Sequence, residues 1–251
     1  MIIKIRGKII VMIKGGISMK IGLVGIGRLG SQIAKYFLLA QNEILAYHQD
    51  KEKAKNFCRE YDYYGKIEPT NDIKELNNAD VIILALPSEV TLDLARTLKK
   101  VLKKDQWVIN TATEVYLTEL KSELSRENIV AAKIIGNAYE IEKGERPGII
   151  VDGHNEKLVE KSVNLFSNLG YAIKGDEKDV SKINKIGAIE AIRTVLRIEK
   201  RLDENNIELD DEMYNALLNN VVAGTVKTYS MGNIGPFLEK VIAQLKNETL
   251  R

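Results

Sequence analysis

The feature that most constrains this chain is the run Lys-Ile-Gly-Leu-Val-Gly-Ile-Gly-Arg-Leu-Gly-Ser at residues 20–31. A short apolar segment leads into three spaced glycines, and a helical pattern follows at once. In such a turn Gly25 makes the tight bend, Gly27 leaves room for a phosphate or ribose, and Gly30 lets the helix pack closely on the strand. The helix N-terminus adds free N–H groups and a positive dipole end. We therefore predict a nucleotide cradle formed by Gly25, Ile26, Gly27, Arg28, Leu29 and Gly30.

Composition excludes several classes of function. The net charge is +2 with 29% charged residues, so no strong field favours nucleic acid as a partner. Cys58 is the single cysteine, which excludes a disulfide framework and fits a reducing cytoplasm. The two histidines, His48 and His154, argue against a histidine-built metal site. We expect a cytoplasmic protein with a small-molecule partner, no bound metal, and no membrane or nucleic-acid partner.

Residues 1–18 precede the first strong strand pattern. Lys and Arg recur too often there for a membrane span, and the longest apolar run, residues 9–13, is far short of the ~20 residues that a spanning helix needs. The segment also lacks a signal-peptide cleavage pattern. We expect either that Met19 is the natural start or that residues 1–18 form a loosely held arm.

Apolar runs alternate with helical patterns over residues 19–175, which predicts an α/β Rossmann-like, doubly wound and mostly parallel sheet. A small all-helical C-terminal domain is expected over residues 176–251, where strand patterns stop. The predicted strands are 20–25, 43–47, 80–86, 106–110, 129–135, 148–152 and 171–174. The predicted helices are 29–40, 50–60, 89–102, 114–124, 156–168, 178–205, 210–230 and 236–246.

With this order, the chain resembles the pyrroline-carboxylate reductase group and the related deazaflavin-coenzyme-dependent NADP reductases. The resemblance covers residues 19 to about 230 and rests on the glycine turn, on the strand Ala-Asp-Val-Ile-Ile-Leu-Ala-Leu-Pro at residues 79–87, and on Lys133-Ile-Ile-Gly-Asn137. In that group the helical part forms an interlocked dimer and completes the active site between subunits. The resemblance therefore implies a homodimer, with Asn137 near the reacting ring.

The end of the second predicted strand departs from this group. NAD enzymes usually place an acidic residue there, and NADP enzymes of the group place an Asn-Arg-Ser/Thr run. This chain has Tyr47-His48-Gln49-Asp50. Gln49 cannot neutralise a phosphate dianion, and His48 could bind or stack on the adenosine. Asp50 could serve the ribose or merely cap the helix at residues 51–60.

A second departure lies where the group receives its substrate. The Ser-Gly-Ser-Gly-Pro-Ala-like run of the group is replaced by Lys185-Ile-Gly-Ala-Ile-Glu190-Ala. These changes make the chain resemble the S-adenosylmethionine-dependent pyridinol C-methyltransferases of methanogens, which act in biosynthesis of the guanylylpyridinol cofactor of a hydrogenase. That resemblance implies S-adenosyl-L-methionine as cofactor and a small hydroxypyridine as substrate. A conventional NAD(P)-dependent reductase of an imine or deazaflavin, and a silent nucleotide-binding dimer, remain as alternatives.

Candidate catalytic residues follow from the methyl-transfer interpretation, which needs a group to polarise the ring hydroxyl. Glu190 is the candidate base, with Thr194 and Arg197 one and two turns on; the alternative is a solvated face with an ordinary Glu–Arg pair. Tyr116 could bond or stack on the acceptor, and Thr113 could instead cap a helix that begins at Glu114. Further cofactor contacts are expected at the carboxyl ends of strands, from His48, Gln49, Leu86, Pro87, Ser88, Thr111 and Thr113.

The predicted C-terminal helices carry apolar stripes that are too few to close a core alone and too apolar to leave exposed. We therefore expect a homodimer built by residues beyond about 176. The alternative is that these helices fold back on their own Rossmann domain. The stripes consist of Ile186, Ile189, Val195, Leu196, Leu217, Leu218, Val221 and Val222.

Overall fold

Strands and helices alternate along the first part of the chain and build one large sheet, as the sequence predicts. The structure is a computed structural model that describes residues 2–5, 8–11 and 18–249. The strands of this sheet are β3 Lys20–Val24, β4 Glu43–Tyr47, β5 Ile67–Thr70, β6 Val81–Leu84, β7 Trp107–Asn110, β8 Ile129–Ile135, β9 Gly148–Asp152 and β10 Tyr171–Lys174. They lie in the order β10-β9-β8-β7-β6-β3-β4-β5, and all neighbouring pairs are parallel except β8–β9.

The helices follow the strands as expected of a doubly wound fold. Those of the sheet region are α1 Arg28–Leu39, α2 Lys51–Tyr61, α3 Ser88–Leu98, α4 Leu117–Leu124, α5 Ala138–Glu142 and α6 Glu156–Phe166, with 3-10 turns at Asp62–Tyr64 and Ile73–Asn78. The remaining helices are α7 Glu177–Glu204, α8 Asp211–Ala216, α9 Ala223–Ser230 and α10 Pro236–Thr249, with a π-helical segment at Leu217–Val222 between α8 and α9. The predicted Rossmann-like class with a helical C-terminal region is therefore confirmed.

Some elements differ from the expectation. Strand β5 was not predicted because Pro69 interrupts its pattern, and proline is tolerated here because β5 lies at an edge of the sheet. Helix α4 begins at Leu117 rather than at Glu114. Within the predicted arm, the described segments β1 (Ile2–Ile5) and β2 (Lys8–Val11) form an antiparallel pair, and the other residues before Ser18 lie outside the described chain.

Both faces of the sheet are buried, which explains why its central strands are almost wholly apolar. The side chains of β6 alternate between the two faces, so that Ile83 packs with Ile21 and Phe37 while Ile82 packs with Leu76. The rings of Phe37 and Phe166 meet edge to face with centroids 5.3 Å apart. These layers fix the sheet and therefore the loops at its carboxyl edge.

The chain divides into two units, residues 1–186 and 187–251. Helix α7 runs through both, so the expected boundary at residues 175/176 stays a prediction. Among the residues described between 187 and 246, none is buried, although many are apolar. Within the described chain, no helix is both long and apolar enough to cross a membrane.

Candidate nucleotide-binding site

The glycine turn lies at the point where the strand order of the sheet reverses. The chain leaves β3 towards β4 and β5 and then returns to form β6 on the other side of β3. Register pairs Val24 with both Tyr47 and Leu84, so these three strands end level with one another. In doubly wound folds, ligands bind in the crevice at such a switch point.

Gly25 and Gly30 are required by the shape of the turn. Gly25 has φ +102°, in the left-handed region, and a Cβ there would overlap the carbonyl oxygen of Ala85. A Cβ on Gly30 would overlap the carbonyl oxygen of Gly25. These contacts agree with the roles expected for the two glycines in bending the chain and in packing the helix.

Gly27 behaves differently and leaves an open surface. It precedes α1 with φ −77°, a value that any residue can adopt, and a Cβ would meet nothing within 4 Å. In the described chain no side chain caps α1 and no acidic residue lies in its first turn. The N–H groups without a side-chain cap and the missing Cβ together fit the approach of a phosphate.

Arg28 connects the turn to helix α5. Its guanidinium lies 4.0 Å from the Glu142 carboxylate and 6.0 Å from the ring centroid of Tyr139. Helix α5 also packs against α1. The Asn137 loop, expected near the reacting ring, therefore lies beside the glycine turn. Ile26 and Leu29 are half-buried and pack against the core.

The end of β4 forms the corner where a ribose would lie. The Asp50 N–H donates to His48 Nδ1 at 2.9 Å, so the proton of a neutral imidazole is on Nε2. Asp50 caps α2 by accepting from the N–H groups of Glu52 and Lys53, as one of our two interpretations predicts. The hydrogen bond from the Lys53 N–H, ahead of that from Glu52, holds the pKa of Asp50 below its ordinary value. Gln49 is exposed at the same corner.

Leu86, Pro87 and Ser88 follow β6 at the same edge. Leu86 lies against Gly25, and the Pro87 carbonyl accepts the Thr91 hydroxyl at 2.8 Å. Ser88 is the first residue of α3, and Pro87 occupies the N-cap position without a side-chain hydrogen bond. Ser88 is thus a helical residue rather than the N-cap, and its part in ligand contact stays a prediction.

The segment after β7 is shaped by its own backbone contacts. The buried Thr111 hydroxyl donates to the Leu84 carbonyl at 2.9 Å, so its proton is engaged by the backbone of β6. Thr113 does not cap a helix at Glu114, because α4 begins three residues later. The Tyr116 N–H donates instead to Glu119 Oε2 at 2.9 Å, so the carboxylate of Glu119 acts at the start of α4 in place of the cap that we expected from Thr113.

The other two catalytic candidates make local contacts. Asn137 caps α5 by accepting from the Tyr139 N–H at 2.9 Å. Glu190 lies in the second unit and is exposed. Its carboxylate forms an ion pair with Arg193 at 2.6 Å, one turn before Arg197. This arrangement is the ordinary Glu–Arg pair that we gave as the alternative, and a catalytic role for Glu190 stays untested.

Sequence reasoning overlooked a buried ionic group beneath the segment after β7. Lys133 of β8 has no exposed surface and Glu177 is 4% exposed, and their charged atoms lie 3.5 Å apart. Burial lowers the pKa of Lys133 to about 8 and raises that of Glu177. A lysine in the middle of the apolar strand Ile-Val-Ala-Ala-Lys-Ile-Ile was the signal that could have revealed it. Among the described residues, no group of three or more His, Cys, Asp or Glu could hold a metal ion.

Comparison with known proteins is consistent with this geometry. Residues 20–114, less than half of the chain, match a family model described as NADP oxidoreductase, coenzyme F420-dependent. A glycerol-3-phosphate dehydrogenase [NAD(P)+] of Fusobacterium nucleatum is 28% identical over 141 residues, covering 52% of this chain and 41% of that protein. A prephenate dehydrogenase of Lactococcus lactis is 28% identical over 169 residues, covering 66% of this chain and 44% of that protein. The chain thus spans less than half the length of these curated relatives.

The fold is also that of solved reductases. The pyrroline-5-carboxylate reductase of Coxiella burnetii superimposes with a TM-score of 0.69 at 17% identity, over 93% of this chain and 92% of that one. The matches are named as dehydrogenases and reductases, which supports the broader expectation of an enzyme. The expectation of an S-adenosylmethionine-dependent methyltransferase, with that cofactor and a pyridinol substrate, is wrong. That prediction rested on the departures at His48, Gln49 and Lys185–Ala191. These departures show which reductase contacts are missing, but they do not show which other cofactor is bound. This chain is similar to nicotinamide-nucleotide oxidoreductases.

Proposed function

We propose that this protein is an NAD(P)-dependent oxidoreductase. The observation that carries the proposal is the open surface at Gly27, which precedes an α1 helix without a side-chain cap in the described chain, at the switch point of the sheet. That geometry alone would suit several nucleotides. The family match over residues 20–114 and the named relatives favour the nicotinamide nucleotides among them.

Each part of the crevice has a distinct task in this proposal. The turn from Gly25 to Gly30 would hold the pyrophosphate on the N–H groups of α1. His48 Nε2–H would donate to the adenosine ribose, beside Gln49. The loops at Leu86–Ser88 and Thr111–Thr113 would border the nicotinamide half. The nucleotide would supply or accept a hydride, while Tyr116 and Asn137 remain the candidates of the first unit for contact with the substrate.

Titration of the purified protein with NADH and NADPH by calorimetry tests the proposal. We expect saturable binding of at least one of them with a Kd in the range of about 1 μM to 1 mM. Gly27→Val is the matched variant for the site, and S-adenosylmethionine is the control ligand. Absence of binding by both nicotinamide nucleotides would contradict the proposal.

For the second substrate we propose an imine or a deazaflavin, the two classes named in the resemblance. Loss of NAD(P)H absorbance in the presence of pyrroline-5-carboxylate, or its formation from a reduced deazaflavin, would distinguish them. Turnover with neither would remove this assignment while leaving nucleotide binding intact. We place the protein in the cytoplasm, which the single cysteine supports.

We also propose that the second unit forms a homodimer. Ile192, Leu196 and Val226 are 60%, 58% and 65% exposed. Within the same unit, an apolar groove between α9 and α10 is lined by Val226, Tyr229, Leu238, Val241, Ile242 and Leu245. An apolar surface of this extent usually marks an interface. Sedimentation at micromolar concentration should give the mass of a dimer, and a monomer would contradict the proposal.

A further inference from the structure

The buried ammonium of Lys133 lies within the sheet and below the segment 111–117. Lys133 pairs across the β8–β9 ladder with Ile150 and is surrounded by apolar strand residues. Nζ donates to the carbonyl oxygens of Ala112 and Val115, the latter at 2.7 Å, and lies 3.5 Å from Glu177 Oε2. The three N–H donors of the ammonium therefore face three acceptors, two of which belong to the backbone of one short segment.

Glu177 holds the same segment from the first turn of α7. Its Oε1 accepts the Leu117 N–H, the first of helix α4, at 2.6 Å. The backbone N–H of Glu177 in turn donates to Asp152 Oδ2 at 3.0 Å, which anchors the start of α7 to the end of β9. In the described chain, Glu177 Oε2 has no hydrogen-bond partner, and it forms an ion pair with the ammonium of Lys133 at 3.5 Å.

A third side chain completes the shape of the segment. The Asn110 amide donates to the Val115 carbonyl at 2.7 Å, and its oxygen accepts the Ala112 N–H at 3.0 Å. Ala112 and Val115 are buried, whereas Thr113 is half-buried and Glu114 is exposed. The buried contacts thus turn residues 113 and 114 outwards at the carboxyl edge of the sheet.

We propose that Lys133 and Glu177 are positioning residues that hold segment 111–117 in the shape needed to border the nicotinamide half of the bound nucleotide. The inference rests on the proposed function. Neither side chain reaches the surface, so both act through the backbone of the segment. The pair also joins that segment to the start of α7, which makes nucleotide affinity depend on two residues outside the crevice.

Four variants test the proposal, with amide hydrogen exchange of residues 111–117 and calorimetric titration of NADH and NADPH as readouts. Lys133→Met removes the donor to two carbonyls, and Glu177→Ala removes the acceptor of the Leu117 N–H. Glu177→Gln loses the charge but keeps an oxygen for that N–H. Lys174→Met is the matched control, because Lys174 is a strand lysine in an exposed pair with Glu156 at 2.5 Å.

We expect exchange of the segment to quicken by about tenfold or more in Lys133→Met and in Glu177→Ala, with a comparable loss of nucleotide affinity. Glu177→Gln should retain several-fold more affinity than Glu177→Ala, whereas Lys174→Met should match the parent. Equal losses in Glu177→Gln and Glu177→Ala would overturn the proposal, since both leave the Lys133 charge unpaired and only the first keeps the hydrogen bond.

The outcome separates this inference from the proposed function. If the parent protein binds neither nucleotide, the proposed function fails, and the exchange readout still tests whether the pair holds the segment. If the parent binds and the folded variants show unchanged exchange and unchanged affinity, the positioning role fails. Should Lys133→Met not fold, the comparison of the two Glu177 variants with Lys174→Met decides the question.

Discussion

The two units of this chain differ in how far their apolar side chains are buried. In the first, Phe37 and Phe166 have no exposed surface and the sheet is covered on both faces. In the second, Phe237 is 81% exposed and no residue described between 187 and 246 is buried. A sheet offers two broad faces on which amphipathic helices can pack, whereas the helices described in the second unit leave many of their apolar side chains exposed. The first unit therefore completes its own core, and the second leaves apolar side chains exposed, which is the basis of the homodimer that we propose.

The largest effect on stability is expected from replacing Phe37 of the first unit, and Phe237 of the second unit provides the comparison. Phe37→Ala should cost about 3–5 kcal/mol in the free energy of unfolding, because it opens a cavity in a closed core. Phe237→Ala should have an effect that grows with protein concentration, because in the proposed homodimer the Phe237 ring would be covered only on association. Thermal unfolding over a hundredfold range of concentration measures both. A concentration-independent loss in Phe237→Ala would place that ring in an intramolecular core instead.

A second test uses the buried ion pair that lies in the first unit. The pKa of Lys133 is about 8 in the folded protein, below the ordinary value of 10.5. Between these two pH values the Lys133 side chain binds more protons in the unfolded chain than in the folded protein. The contribution of Lys133 to the free energy of unfolding therefore rises with pH.

The parent should therefore gain stability relative to Lys133→Met from about pH 8 to pH 10, on the order of 1–3 kcal/mol. Denaturant unfolding of both proteins across this range measures the difference, in which the titration of groups that do not contact Lys133 cancels. A flat or falling difference would mean that burial does not lower the pKa of Lys133.

The glycine turn gives a smaller effect that separates binding from folding. Gly27→Val should lower nucleotide affinity by about tenfold or more, about 1.4 kcal/mol, because its side chain would occupy the space that a phosphate needs. Its unfolding midpoint should stay near that of the parent, since a Cβ there meets no neighbour and φ is negative. Gly25→Val is the contrasting control and should destabilise the fold. Unchanged affinity in folded Gly27→Val would show that the turn is not the cradle.

The smallest expected effect concerns the ribose corner. Gln49→Arg adds a guanidinium where NADP enzymes of the group carry one, so NADPH affinity should improve by about two- to tenfold over NADH. Calorimetric titration of the two nucleotides with parent and variant gives the ratio. An unchanged ratio would place the 2′-position away from residue 49.

Much of the fold could be read from local patterns. The apolar runs at residues 43–47, 129–135, 148–152 and 171–174 coincide with strands β4, β8, β9 and β10. Strand β5 and helix α5 were not predicted, because both are short and β5 contains Pro69. The start of α4 was predicted too early because Thr113 resembles an N-cap in the sequence. In the structure, Glu119 accepts the Tyr116 N–H and Glu177 accepts the Leu117 N–H.

The chemistry was read less well than the fold. The glycine turn predicts a nucleotide site but does not identify the nucleotide, since the same turn suits any ligand with a phosphate or ribose near the backbone. Missing reductase residues at His48, Gln49 and Glu190 were taken as signs of methyl transfer. The relatives point instead to nicotinamide nucleotides.

The sequence by itself determined the strand–glycine–helix unit, the alternation that builds the parallel sheet, and the change to helices after residue 176. These features depend on periodicity and on the absence of a side chain at fixed positions, which are local properties of the chain. Tertiary structure alone decided that Lys133 of β8 meets Glu177 of α7 below the 111–117 segment, and that Arg28 meets Glu142. Such contacts join residues far apart in the chain, and only the packing of the sheet brings them together.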